Sequence, residues 1–118
     1  MSGRVGYHAG LSAESMVSDL YRRCGFEVTG ERWRGKCGEI DLIAEQDGQL
    51  VFIEVKKSKT FTRAAQRLSS KQQARIYRTA EEYLATRADD RLPTCRFDVA
   101  LVDAVGRVEV LENAIGHH

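Results

Sequence analysis

The chain has one proline, no long apolar run and no surplus of either charge. A single proline among 42% hydrophobic and 30% charged residues excludes proline-rich linkers, collagen-like repeats and low-complexity tails, and predicts a compact fold. No apolar stretch approaches the roughly 20 residues that cross a bilayer, and no hydrophobic signal segment opens the chain, so no membrane partner and a cytoplasmic location are expected. Cysteine is scarce. Cys24, Cys37 and Cys95 are odd in number and widely spaced, matching neither a disulfide framework nor a CxxC metal pair, which predicts reduced thiols. At 118 residues the sequence holds one ordinary domain and not two, so residues 1–118 are expected to fold as a unit, with His117-His118 either native or a purification remnant. No zinc finger, DNA-recognition helix or aromatic RNA-binding motif is present, so nothing in the chain reads bases.

What is present is an uneven distribution of charge. From Lys56 to Ala80 there are eight basic residues and no acidic one, while the remainder carries ten Lys and Arg against seventeen Asp and Glu. A segment of this kind gathers polyanions even when the whole chain is near neutral, and it also fits an ordinary solvated helix face.

Ser12 as N-cap, Glu14 in the first turn, a stripe of Met16, Val17, Leu20, Tyr21 and Cys24, and Gly25 beyond it predict a first helix over about 12–24. Phe26 and Val28 predict a short strand, followed by a basic loop, Arg32 to Lys36. Gly38 to Glu45 and Leu50 to Lys57 are β-like, and Asp47-Gly48 between them is a tight-turn dipeptide. That turn sets the register: Ile43 faces Phe52, Leu42 faces Ile53, Asp41 faces Glu54 and Glu39 faces Lys56. Alternation puts Ile40, Leu42, Ala44, Val51, Ile53 and Val55 on a core face. Ser69 or Ser70 caps a second helix, with Ser70-x-x-Gln73 as a capping box, a buried stripe of Ile76, Tyr77, Ala80, Tyr83 and Leu84, and an end near Thr86. Two further strands are expected, Arg96 to Val102 and Arg107 to Leu111.

Asp41 and Glu54, opposed on neighbouring strands, repel unless something draws them together. A hard divalent cation such as Mg²⁺ or Mn²⁺ prefers carboxylate oxygens and retains waters. Lys56 lies two residues beyond Glu54 on the same face. Together these make a phosphodiester-cleaving centre conceivable, in which the cation neutralises the phosphate and Lys56 orients water or stabilises developing charge. The same residues also fit the solvated face of an amphipathic hairpin, with Glu39–Lys56 as an ordinary ion pair.

Asp41, twelve intervening residues and Glu54-Val55-Lys56 resemble the bipartite PD-(D/E)xK nuclease signature. More closely, Gly38-Glu39-Ile40-Asp41-Leu42-Ile43-Ala44 with Phe52-Ile53-Glu54-Val55-Lys56, Lys71, Tyr83-Leu84, Arg96-Phe97-Asp98-Val99 and Asn113-Ala114 is similar to the bacterial YraN-like family of predicted endonucleases, over roughly residues 7 to 115. Ile40 stands where the superfamily name has proline, and Ser58 where the YraN-like pattern has arginine. The resemblance implies an α/β restriction-endonuclease-like core of order αβββαβ, with helices flanking a mixed central sheet. It implies Asp41, Glu54 and the carbonyl of Val55 as metal ligands, with Glu14 acting directly or through water, and Lys56 as the catalytic lysine. Lys57, Lys71, Gln72 and Arg75 would approach a phosphate backbone. The implied partner is DNA, in branched or single-stranded form, held mainly through its phosphates; cutting two strands would suit a homodimer. A nucleic-acid-binding module without turnover is the alternative.

Other residues have plainer readings. Glu14 also serves as a dipole complement at a helix N-terminus. Asp98, inside an apolar strand, is expected to pair with Arg96. Trp33 either stacks on an unpaired base or lies at the core edge. His8 is a lone histidine without a role, and the cysteines have no partner base.

Overall fold

The computed structural model describes residues 2–62, 69–87 and 93–115, and the side chains of its first helix from Ala13 onward. The order is α1 (Ser2–Arg23), β1 (Glu27–Arg34), β2 (Glu39–Gln46), β3 (Gln49–Lys57), α2 (Ser70–Ala85), β4 (Thr94–Val102) and β5 (Val108–Leu111). The strands form one sheet in the order β1-β2-β3-β4-β5. Only β3 and β4 run parallel, joined by the crossover through α2, so the sheet is mixed. No helix among the described residues is long and apolar enough to cross a membrane. The side chains of His8 and Ser12, and the residues Arg63, Arg67, Asp89-Asp90 and His117-His118, lie outside what is described.

The Asp47-Gly48 turn forms as its sequence predicts. Both residues take positive φ (49° and 80°), the conformation a two-residue hairpin turn with the strands' own twist requires. The register follows, from Gln46↔Gln49 to Leu42↔Ile53.

Two boundaries and two side-chain placements differ from expectation. Helix α1 begins at Ser2, so Ser12 lies inside it rather than at its cap; the helix continues through Gly3, Gly6 and Gly10, which intrinsic propensity penalises by about 1 kcal/mol each. Its buried side chains are Ala13, Val17, Ser18 and Tyr21, and Cys24 is exposed. Strand β1 runs to Arg34 because it pairs along all of β2, from Glu27↔Glu45 to Arg34↔Glu39, leaving only residues 35–38 as loop. Of the two expected caps of α2 the structure has Ser69, whose hydroxyl accepts the Gln72 amide at 3.1 Å, so Gln72 and not the Gln73 of the expected capping box occupies the third helical position.

The sheet is buried on both faces. Against α1 lie Leu42, Ala44, Val51, Ile53, Ala100 and Val102 with Ala13, Val17 and Tyr21. Against α2 lie Ile40, Ile43, Leu50, Phe52, Phe97, Val99 and Leu101 with Ile76, Ala80 and Ile115. The core face expected of the hairpin forms with Leu42, Ala44, Val51 and Ile53, helices flank both sides, and the placement of Ile40 on that face is corrected. Ile40 belongs to the α2 side while Leu42 belongs to the α1 side, so the two-residue alternation of β2 breaks at Asp41.

Candidate active site

The break at Asp41 sits where two strands part. Beyond Leu42↔Ile53 the β2–β3 ladder ends. Strand β2 stays with β1 as far as Arg34↔Glu39, and β3 stays with β4 from Glu54↔Val99 to Lys57↔Val102. The expected facing of Asp41 with Glu54 and of Glu39 with Lys56 is thus not carried by the backbone. Each strand is held by its other neighbour, and the two part. The Asp41 carboxylate bridges the gap in the ladder: Oδ2 accepts the Val55 amide at 2.8 Å, satisfying a β3 donor that has no ladder partner there.

The two carboxyl groups still meet, through their side chains. Asp41 and Glu54 share a hydrogen bond. Burial is the main force raising Glu54, to about 9, and the adjacent Asp41 adds to it while Lys56 opposes it. Asp41 is also raised by burial, against the pull of the Val55 amide, the Glu54 hydrogen bond and Lys56. Lys56 therefore acts electrostatically on both groups. Glu54 is 6% exposed, and its Oε2 is buried without a hydrogen-bond partner. A buried carboxyl oxygen left unsatisfied is costly.

Glu14 is placed differently. Its Oε2 accepts from Arg32 Nε at 2.9 Å, on the wall of a cavity of about 340 Å³ lined by Glu14, Ser15, Glu31, Arg32 and Leu42. Glu14 adds to the negative field that raises Asp41, yet no group of three or more His, Cys, Asp or Glu side chains among the described residues is assembled to hold a metal ion. The donor set that is assembled comprises two carboxyl groups, one with an orphaned oxygen, beside a lysine. It fits a small hard cation, since Mg²⁺ commonly takes one or two carboxylates and completes its shell with water and phosphate.

The basic residues flank this end of the sheet. Lys57 is exposed at the end of β3, and Lys71 is exposed in the first turn of α2, where Gln72 is half-buried. Arg75 is exposed, and its aliphatic stem lies over Gly38, leaving no room there for a Cβ, which would come within 2.9 Å of Arg75 Cδ. The loop before Asp41 thus packs on the basic helix. Glu82 fixes the same loop, accepting the Lys36 and Cys37 amides at 2.8 and 2.9 Å, and those two bonds hold its carboxyl below the usual range.

Arg32 and Glu82 were not legible in the sequence, since each acts on a segment that only the folded chain brings near. Asp98 pairs with Arg96 as expected, through Nε and Nη2 at 2.9 and 3.0 Å, and also accepts the Tyr21 hydroxyl at 2.6 Å and the Asn113 amide at 2.8 Å. Trp33 lies at the core edge, its ring 5.4 Å from Tyr83 in a T-shaped contact.

Comparison with known proteins agrees along nearly the whole chain. A UPF0102 protein of Cereibacter sphaeroides strain ATCC 17029 is 55% identical over 114 residues, covering 97% of each chain. One from Roseobacter denitrificans is 53% identical over 97% of this chain and 88% of its own, and one from Ruegeria pomeroyi is 49% identical over 98% and 94%. The profile of the uncharacterised protein family UPF0102 matches residues 13–102, an interval that takes in Glu14, Asp41, Glu54, Lys56 and all of α2, and the chain belongs to that family.

Proposed function

We propose that the protein is a metal-dependent phosphodiesterase, an endonuclease acting on DNA, built on a restriction-endonuclease-like core. The single observation that carries this reading is the pairing of buried Glu54, one of whose oxygens is orphaned, with half-buried Asp41, and Lys56 acting on both where β2 and β3 part. A merely solvated hairpin face has no reason to bury one carboxyl group against another.

Asp41, Glu54 and the Val55 carbonyl would hold the Mg²⁺ or Mn²⁺, with Glu14 direct or through water. When bound, the cation neutralises phosphate charge and acidifies a nearby water. The chain's own residues supply the rest. Asp41 is positioned by the Val55 amide. Lys56, on the rigid central strand β3, presents an ammonium to the water or to the charge that develops on the phosphate. Lys57, Lys71, Gln72 and Arg75 contact the backbone of the nucleic acid, without base reading. A homodimer would present two such sites to two strands.

The test is a panel of junctions, flaps, single strands and nicked duplex incubated with Mg²⁺ or Mn²⁺. Metal-dependent cutting by the wild type, lost in Asp41→Ala and Lys56→Ala with DNA affinity retained, supports the reading. A second reading, a nucleic-acid-binding module without turnover, is favoured by the engagement of Glu14 with Arg32 and predicts salt-sensitive binding with no product under any metal.

A further inference from the structure

Arg32 occupies a backbone conformation that a strand residue has no local reason to adopt. Its φ is +49°, in the left-handed region where a Cβ is disfavoured. It falls between the pairs Glu31↔Leu42 and Trp33↔Ile40, across from Asp41, where β2 also loses its alternation. The distorted backbone thus places a guanidinium among the carboxylates at this end of the sheet. Arg32 Nε donates to Glu14 Oε2 at 2.9 Å, and the two side chains are 51% and 26% exposed. Glu39 and Asp41 also contribute to the negative field at the guanidinium. On the other side of Asp41, Glu54 keeps a buried oxygen with no partner. The site therefore has one carboxylate already neutralised by an internal cation and one carboxyl oxygen awaiting a ligand.

We infer that Arg32 is the resident counter-ion of this site, a positioning residue that holds Glu14 until a divalent cation takes its place. The inference rests on the metal-site reading of Asp41 and Glu54 above. Arginine and the incoming ion compete for one carboxylate, so each weakens the other's hold on Glu14. Strain in the Arg32 backbone keeps the guanidinium within reach of Glu14, and exposure of the pair keeps it exchangeable.

Mn²⁺ affinity of the full chain without nucleic acid, read from the electron paramagnetic resonance of free Mn²⁺, tests this in a double-mutant cycle of Arg32→Gly and Glu14→Gln. Glycine suits the positive φ at this position, so the variant keeps the fold. Arg32→Gly should tighten Mn²⁺ about two- to fivefold, the worth of an exposed ion pair, and the gain should vanish in the Glu14→Gln background. Unchanged or weaker affinity in Arg32→Gly overturns the inference. So does a gain of equal size in the Glu14→Gln background, which would report only the removal of a nearby positive charge. A wild-type chain that takes up no Mn²⁺ overturns the metal site itself and this inference with it, whereas Mn²⁺ uptake without coupling overturns the inference alone.

Discussion

At Glu54 a carboxyl group keeps its proton far above the range of an exposed glutamate, because burial and the neighbouring Asp41 both penalise its charge. This makes the stability of the metal-free protein depend on pH in a defined direction. Between the ordinary glutamate value and about 9, the native state holds a proton at Glu54 that the unfolded chain has released. Stability is therefore full at the acidic end of that window and falls as pH rises through it, by at most about 1.4 kcal/mol per unit. Urea denaturation of wild type and Glu54→Gln across this range should show a decline in the first and a flatter profile in the second. Asp41→Asn removes the neighbouring charge while keeping an acceptor for the Val55 amide. Its metal-free melting temperature should exceed that of the wild type, increasingly so towards pH 9, and added Mg²⁺ should no longer raise it. A lower melting temperature for the metal-free variant would contradict repulsion between the two groups.

Among the elements, β3 owes its rigidity to neighbours on both sides, while its end at Glu54 is free of β2 and can carry the site. Strand β4 supplies the other anchor. Asp98 is 0% exposed and ties α1 through Tyr21, β4 through Arg96 and the segment after β5 through Asn113. Asp98→Ala would leave a buried hydroxyl and a guanidinium without their acceptor, at a cost of about 3–5 kcal/mol, measurable by chemical denaturation. A destabilisation below about 1 kcal/mol, ordinary for a surface position, would show that this network does not hold the elements together. Its place in the tertiary frame explains why an aspartate stands in an apolar strand, a role distinct from the Asp41 site.

Over the whole molecule, near-zero net charge conceals a basic stretch of sequence that begins at Lys56 and continues into α2, whose Arg75 packs on the loop before Asp41. If that surface holds a polyanion, Lys71→Glu combined with Arg75→Glu should weaken binding to any DNA sequence. The slope of log affinity against log salt should also fall by about 2, one for each phosphate that no longer has a cation beside it. Filter binding at several salt concentrations gives both quantities. An unchanged slope would place the nucleic acid elsewhere or remove it altogether.

The hairpin was legible because its signals are local: Asp47-Gly48 dictates the turn, the turn dictates register, and register brings Leu42 opposite Ile53. The helix end at Gly25 and the hydrophobic stripe of α2 were legible for the same reason. The strand character of Arg32-Trp33-Arg34 was not, because pairing with β2 imposes it on residues with no alternation of their own. The sequence alone placed Asp41, Glu54 and Lys56 at one end of a hairpin. Tertiary structure decided that the strands part there, since β2 is claimed by β1 and β3 by β4, and the carboxyl groups meet through their side chains rather than across a ladder. It decided too that Glu14 lies against Arg32, because a contact between a helix and a strand eighteen residues apart depends on how the two pack and has no local signal to announce it.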